Sequence, residues 1–189
     1  ANGATAIDTF TYIATDGTDT SNSATVSITV TGTNDAPVVT GVADATQDEG
    51  SGNFVVDLLQ NASDPDSGAI LSVTSLTGDI PPGASISGSS ITIDTNNAAY
   101  NALAVGQSAT YVITYIISDQ FGATVPQSAT ITITGTNDGP TVSPAVGAVI
   151  EDGSISGQVT GSDVDAGEAA TLTFALTDPA PTGLTFNPD

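Results

Sequence analysis

The sequence repeats itself with a period of one domain length. The segment TGTNDAP at residues 31–37 returns as TGTNDGP at residues 134–140, which is 103 residues later. Tyr12 finds Tyr115 at the same offset. Self-similarity at a fixed period indicates an array in which the same structural unit recurs. The sequence therefore predicts tandem domains of about 103 residues that differ by small changes in their loops.

The repeat also predicts where the domains begin and end. Residues 1–37 correspond to the C-terminal half of one repeat, residues 38–140 to a complete repeat, and residues 141–189 to the N-terminal half of a third. Both ends of the sequence thus fall inside a predicted domain. We expect a longer array, or half domains that neighbouring molecules complete.

Each repeat is predicted to consist of short β-strands. Val26, Ile28 and Val30 alternate with small polar residues, as do Ile131 and Ile133, and this period of two is typical of a strand buried on one face. Further strands are predicted at residues 54–59, 70–76, 90–94 and 109–118, and one helical turn at residues 97–105. Strand number and domain size predict an all-β fold of tandem Ig-like, cadherin-like two-sheet β-sandwich domains.

The charge of the chain excludes several functions. It contains 21 Asp and Glu and no Lys, Arg, His or Cys, so its formal net charge is −21. We expect neither nucleic acid nor anionic membranes as partners, since both require a basic patch. Without His, Cys or Lys only carboxylate chemistry remains, so we predict that the chain is not an enzyme. No apolar run approaches the length of a membrane span, and no membrane insertion is expected in this segment.

Acidic residues recur at fixed places in the repeat. Asp64 and Asp66 precede Gly68 in an Asp-x-Asp-x-Gly pattern, which returns 99 residues later in residues 163–167. An Asn-Asp pair ends each TGTND segment, and Asp119 begins an Asp-x-x-Gly turn. Short acidic side chains on turns are suited to calcium, which takes six to eight oxygen ligands. The simpler interpretation is solvated turns, because Asp and Asn are the ordinary residues of turns.

The order of these signals resembles the cadherin repeat, and most closely the bacterial cadherin-like, VCBS-type repeats of giant RTX adhesins. The resemblance implies Ca²⁺ between consecutive domains, with one or two ions per junction. At the first junction it implies the ligands Asn34, Asp35, Asp64, Asp66 and Asp119. At the second junction it implies the ligands Glu49, Asn137, Asp138, Asp163 and Asp165. Two features depart from animal cadherins: Gly32 and Gly135 stand where a further linker Asp is usual, and the Leu-Asp-Arg-Glu segment has no clear counterpart.

The leading hypothesis is a structural extender of a secreted bacterial cell-surface adhesin, in which the partners of each domain are the neighbouring repeats. One alternative is a subunit of a self-assembling extracellular filament or surface layer, which would bind other copies of itself. Another is a calcium-dependent carbohydrate-binding module, although the chain has no Trp and only nine Phe and Tyr to offer a sugar. A carboxylate-based glycoside hydrolase is a more remote alternative, since no pair of acids stands out as a cleft.

Overall fold

The computed structural model describes residues 1–188. It contains thirteen β-strands and one short 3-10 helix at Glu168–Thr171. The strands, in chain order, are β1 (Thr5–Tyr12), β2 (Ala24–Thr31), β3 (Val38–Val39), β4 (Ala45–Asp48), β5 (Asn53–Asp57), β6 (Ala62–Ser63), β7 (Ser72–Gly78), β8 (Ala84–Ser87), β9 (Ser90–Asp94), β10 (Ser108–Ser118), β11 (Thr124–Thr134), β12 (Thr141–Val142) and β13 (Gly161–Ser162).

The middle repeat is a sandwich of two main sheets. One sheet has the order β4-β11-β10-β7, and the other has the order β5-β9-β8. Strand β4 runs parallel to β11, while the other pairs in these sheets are antiparallel. A small β3–β6 pair lies at the start of the repeat. The predicted all-β fold is therefore confirmed.

The core lies between these sheets and follows the predicted alternation. The large hydrophobic side chains that are at most 2% exposed come from β9, β10, β11, the turn after β5 and the loop before β10: Leu58, Ile91, Ile93, Tyr100, Ile113, Tyr115, Ile117, Ile131 and Ile133. Tyr100 also packs edge-on against Tyr111, with ring centroids 6.3 Å apart. Because β-branched side chains fit the pleated surface of a sheet, the Ile-rich strands supply this core.

Two local predictions are corrected. The strand predicted at residues 70–76 begins at Ser72, because the backbone N–H of Ile70 is bonded to the Gln120 side chain (2.7 Å) and leaves Ile70 70% exposed. The helical turn predicted at residues 97–105 is instead a pair of successive turns, in which Tyr100 N–H donates to Asn97 O and Leu103 N–H to Tyr100 O. These turns direct the Tyr100 ring into the core.

The structure reproduces the sequence repeat at the level of strand register. In the β1–β2 hairpin Thr5 pairs with Thr31, and in the β10–β11 hairpin Ser108 pairs with Thr134, so both partners move by 103 residues. The β3–β6 pair returns as β12–β13 in the same register. The same sequence signals therefore form the same local structures before, within and after the middle repeat.

The β1–β2 hairpin differs from its counterpart in what covers it. Phe10, Tyr12, Ile28 and Val30 are 54%, 55%, 47% and 60% exposed. Their repeat equivalents on β10 and β11 are at most 2% exposed, because the β5-β9-β8 sheet packs on that face. Strand β2 forms as predicted. Within residues 1–188, however, no second sheet packs on the face that its alternation predicts to be buried.

Candidate cation sites at the repeat junctions

The first linker is bonded to the middle repeat at two points. The side-chain amide of Asn34 donates to Asp119 Oδ2 at 2.7 Å, and the backbone N–H of Asp35 donates to Asp66 Oδ2 at 3.0 Å. Asp66 and Asp119 are 5% and 6% exposed. Four of the residues predicted from the sequence thus meet at this junction.

Asp119 is held in place by the turn that it begins. It follows the last residue of β10, and its Oδ1 accepts hydrogen bonds from the backbone N–H groups of Phe121 (2.9 Å) and Ala123 (2.8 Å). The Asn34 side chain lowers the pKa of Asp119 most, and these N–H groups lower it further, while burial opposes them. The carboxylate is therefore fixed in its ionised form with Oδ2 turned toward the linker.

The Asp-x-Asp loop of the middle repeat presents its carboxylates to the same junction. Asp64 Oδ1 accepts a hydrogen bond from the backbone N–H of Asp66 at 2.8 Å, which orients the two side chains together. The N–H of Asp35 is the main cause of a lowered pKa at Asp66. The terminal ammonium of Ala1 lies 3.3 Å from Asp66 Oδ1.

The second junction repeats this arrangement. The N–H of Asp138 donates to Asp165 Oδ2 at 2.9 Å, and the N–H of Asp165 donates to Asp163 Oδ1 at 3.0 Å. The side chain of Asn137 donates to Asp138 O at 2.7 Å, as Asn34 does to Asp35 O. All five residues predicted for this junction therefore lie in it, once Glu49 is added from the middle repeat.

Glu49 reaches the second junction because β4 pairs with the end of β11. Its backbone N–H donates to Thr134 O, and its Oε1 accepts from the N–H of Thr136 at 2.8 Å. Oxygens of Glu49, Asp138 and Asp165 lie within 4.8 Å of one another. Burial is the largest cause of a raised pKa at Glu49, and the nearby charges of Asp138 and Asp165 raise it further. Three carboxylates are held together here against their mutual repulsion.

The strongest indication of a ligand is a set of oxygens without hydrogen-bond donors. In residues 1–188, the buried side-chain polar atoms that lack a hydrogen-bond partner are all oxygens at the two junctions: Asn34 Oδ1, Glu49 Oε2, Asp64 Oδ2, Asp66 Oδ1 and Asp165 Oδ1. Of these, Asp66 Oδ1 forms an ion pair with the Ala1 ammonium, and the other four have no such partner. Buried polar groups are nearly always satisfied, so each exception requires an explanation such as a bound ion. Acceptor-only oxygens that converge in this way fit a hard divalent cation, a class that includes Ca²⁺ and Mg²⁺.

The geometry accounts for one departure from animal cadherins. A side chain at Gly135 would overlap the backbone oxygens of Leu103 and Ala104, and one at Gly32 would overlap Ala1 O. The N–H of Gly135 also donates to Gln107 O at 2.9 Å, as that of Gly32 does to Ala4 O at 2.8 Å. A linker carboxylate has no room at these positions because the backbone itself packs there.

One candidate ligand was absent from the sequence prediction. Oxygens of Asp163, Asp165 and Glu168 form a second group within 4.8 Å. The residue equivalent to Glu168 at the offset of 99 is Ala69. Glu168 is present in one copy of the loop alone, so the repeat does not single it out, although its position three residues after Asp165 is a local signal.

Comparison with known proteins gives the family. Residues 34–134 match the model of the bacterial Ig domain, which is more than half of the chain. The chain belongs to this family, a class of all-β domains that is typically non-enzymatic and common in surface proteins. In residues 1–188 no helix has the length and hydrophobicity of a membrane span, and the helix present has four residues.

Other comparisons are weaker. No curated protein matches the chain. A solved structure of a nucleoside hydrolase-related hypothetical protein from Saccharophagus degradans, associated with carbohydrate metabolism, is 21% identical with a TM-score of 0.32. The match covers 55% of this chain and 26% of that one. The chain therefore spans about a quarter of the length of that protein.

Proposed function

We propose that this chain is a non-enzymatic extender segment of a secreted bacterial surface adhesin, in which Ca²⁺ at the junctions stiffens tandem Ig-like domains. The observation that carries the proposal is the set of buried oxygens without hydrogen-bond partners, all of which, in the described residues 1–188, lie at the two junctions. Bound calcium would neutralise these carboxylates and draw the linker and the Asp-x-Asp loop together. The proposal includes the narrower identity of these domains as VCBS-type cadherin-like repeats of an RTX adhesin.

Each part of the junction has a role in this mechanism. Glu49 contributes from the domain before the second linker, Asn137 and Asp138 from the linker, and Asp163 and Asp165 from the domain after it. At the first junction Asn34 and Asp35 act from the linker with Asp64, Asp66 and Asp119, which all belong to the repeat after it. Because ligands from consecutive domains would share an ion, bending at the linker would require the ion to lose ligands.

The linker itself restricts motion before any ion binds. Pro37 and Pro140 follow the two Asn-Asp pairs after a single intervening residue, and Pro37 is buried. Proline fixes its own φ and disfavours helical geometry in the residue before it, which keeps the connection extended. The chain therefore offers a preorganised path on which carboxylates from two domains converge.

The test is thermal unfolding and solution scattering in millimolar CaCl₂, in MgCl₂ and in chelator, all at one ionic strength. We expect calcium to raise Tm and lengthen the particle more than magnesium does, because the larger ion accepts more protein oxygens. Each site adds about 1.4 kcal/mol of stability at ten times its Kd. Asp66→Asn and Asp165→Asn should each remove part of the gain, while Asp79→Asn, at an exposed acid, should not. Equal curves in all three buffers would reject the calcium mechanism.

One observation favours the alternative of a self-assembling filament or surface-layer subunit. The apolar face of the β1–β2 hairpin is about half exposed, although its repeat equivalents form part of a core. Residues 141–188 also expose large apolar side chains, including Ile150, Ile155 and Leu184. Another copy of the chain could bring these two surfaces together. Sedimentation velocity over a range of protein concentrations in CaCl₂ tests this, and a monomer throughout would exclude it.

A further inference from the structure

Glu168 extends the acidic loop of the second junction beyond the predicted ligands. It is the first residue of the 3-10 helix that follows the loop, and it is partly buried. One of its carboxylate oxygens lies within 4.8 Å of oxygens of Asp163 and Asp165. Asp165 is shared with the Glu49 and Asp138 group, but Asp163 and Glu168 belong to this second group alone.

A buried oxygen of this group has no hydrogen-bond partner, which is an observation independent of the spacing. Asp165 is 2% exposed, and its Oδ1 has no hydrogen-bond partner because the Asp138 N–H is bonded to Oδ2. The repeat equivalent of Asp163, Asp64, likewise has a buried oxygen without a donor, Oδ2, while Asp66 Oδ1 has only the Ala1 ammonium as a partner. Both copies of the loop thus present acceptors without donors on this side.

The spacing of the oxygens fits one ion. Calcium lies about 2.4 Å from its oxygen ligands, so two ligands on opposite sides of it are about 4.8 Å apart. Three carboxylates at this spacing repel one another unless a cation lies between them. A divalent cation relieves this repulsion and supplies the missing partner of Asp165 at the same time.

We propose that Asp163, Asp165 and Glu168 form a second divalent-cation position at the second junction, in addition to the one that includes Glu49 and Asp138. The inference rests on the proposed function, since it adds a ligand to the same junction. Asp165 contributes to both positions, as a carboxylate with two oxygens can. Glu168 distinguishes this loop from that of the first junction, where Ala69 stands in its place.

The two loops provide a matched pair for the test. The N–H of Glu168 donates to Asp165 O at 3.2 Å, and the N–H of Ala69 donates to Asp66 O at the same distance. Gly167 and Gly68 precede them with φ of 92° and 81°. Since the backbones agree, Ala69→Glu should create the third carboxylate at the first junction, and Glu168→Gln should remove it from the second.

The experiment follows backbone amides by NMR while CaCl₂ is added to the full chain at fixed ionic strength. Gly167 reports on the second loop and Gly68 on the first. We expect Glu168→Gln to weaken the calcium response at Gly167 about tenfold, because ligand charge sets affinity in such sites. Ala69→Glu should strengthen the response at Gly68. Glu151→Gln is the control, since it makes the same change at an exposed acid outside both groups.

The outcomes separate this inference from the proposed function. A response at Gly167 that Glu168→Gln alters no more than Glu151→Gln does would overturn the role of Glu168 and leave calcium binding intact. No response at either glycine up to about 10 mM calcium would reject the proposed function itself, because extracellular sites bind at 10⁻⁴ to 10⁻³ M. Unchanged amide shifts of Ile113 and Ile131 verify that each variant keeps its fold.

Discussion

Asn34 donates a 2.7 Å hydrogen bond from its side-chain amide to Oδ2 of Asp119, a residue 85 positions further along the chain. The same amide also donates to Asp35 O at 2.9 Å, so both of its hydrogens are engaged and its Oδ1 is left without a donor. The amide therefore orients a linker oxygen and a domain carboxylate toward each other. This side chain connects the linker to the end of β10 without the help of a cation.

The first prediction concerns this bond. Asn34→Ala should raise the pKa of Asp119, because the Asn34 side chain is the largest cause of its lowered value. A carboxyl group with a lowered folded pKa stabilises the protein above its unfolded pKa, and that stability is lost as pH falls through the folded pKa. The variant should thus lose less stability on acidification. NMR titration of the Asp119 carboxyl carbon in chelator measures the pKa, and Asn137→Ala, at the equivalent linker residue, should leave it unchanged.

The second prediction concerns the close backbone approach at Gly135. Gly135→Ala should lower the free energy of unfolding by about 2 kcal/mol, since the added methyl would overlap Leu103 O and Ala104 O and the loop must shift. Gly139→Ala is the control, because a Cβ there meets no atom within 4 Å. Urea unfolding of both variants measures the difference. Equal midpoints would mean that the loop yields without cost and that the glycine is not required by packing.

Much of the fold could be predicted because the strands of the middle repeat alternate strictly. The alternation predicts one buried face formed by Tyr111, Ile113, Tyr115 and Ile117 on β10 and by Ile131 and Ile133 on β11. All of these are at most 2% exposed except Tyr111, which is partly buried at the edge of the core. Strand β4 could not be predicted, because its sequence Ala-Thr-Gln-Asp shows no apolar alternation and it forms through parallel pairing with β11. Long-range pairing of this kind leaves no local signal.

The candidate site was predictable for a different reason. Asp64, Asp66, Asp163 and Asp165 were identified because the same spacing occurs twice, and the structure brings each pair to a linker. Repetition could not reveal Glu168. Nor could it show that Gly135 is required by packing, since that depends on a loop that lies next to it only after folding.

The third prediction concerns the effect of the Glu49 charge on stability, first without calcium and then with it. Burial and two neighbouring acids raise its pKa, and a raised pKa in a carboxyl group means that stability is lost as pH rises through the folded value. In chelator at neutral pH, Glu49→Gln should therefore raise Tm, since an amide oxygen can still accept the Thr136 N–H.

Adding CaCl₂ should raise the Tm of the same variant less than that of the wild type, because the ion loses a carboxylate ligand. Calorimetry in the two buffers measures both effects, with Glu151→Gln as the exposed control. A variant that is less stable than the wild type in chelator would contradict the view that Glu49 is an unfavourable charge without a cation.

The last prediction concerns the core and does not depend on metal. Tyr100 is fully buried, its hydroxyl donates to Pro82 O at 2.7 Å, and burial is the main cause that raises its pKa to about 12. The unfolded chain ionises a tyrosine near pH 10, so stability is complete below that pH and falls by about 1.4 kcal/mol per pH unit between pH 10 and 12. Tyr100→Phe should lower the free energy of unfolding by about 1 kcal/mol at neutral pH through the missing hydrogen bond, yet its stability should decline less steeply above pH 10.

Denaturant unfolding at pH 8, 10 and 11 measures both effects, and Tyr12→Phe makes the same change at a ring that is 55% exposed. Stability that falls equally with pH in Tyr100→Phe and in the wild type would contradict the raised pKa of Tyr100. It would mean that water or a donor reaches the hydroxyl and stabilises its ionised form in the folded protein.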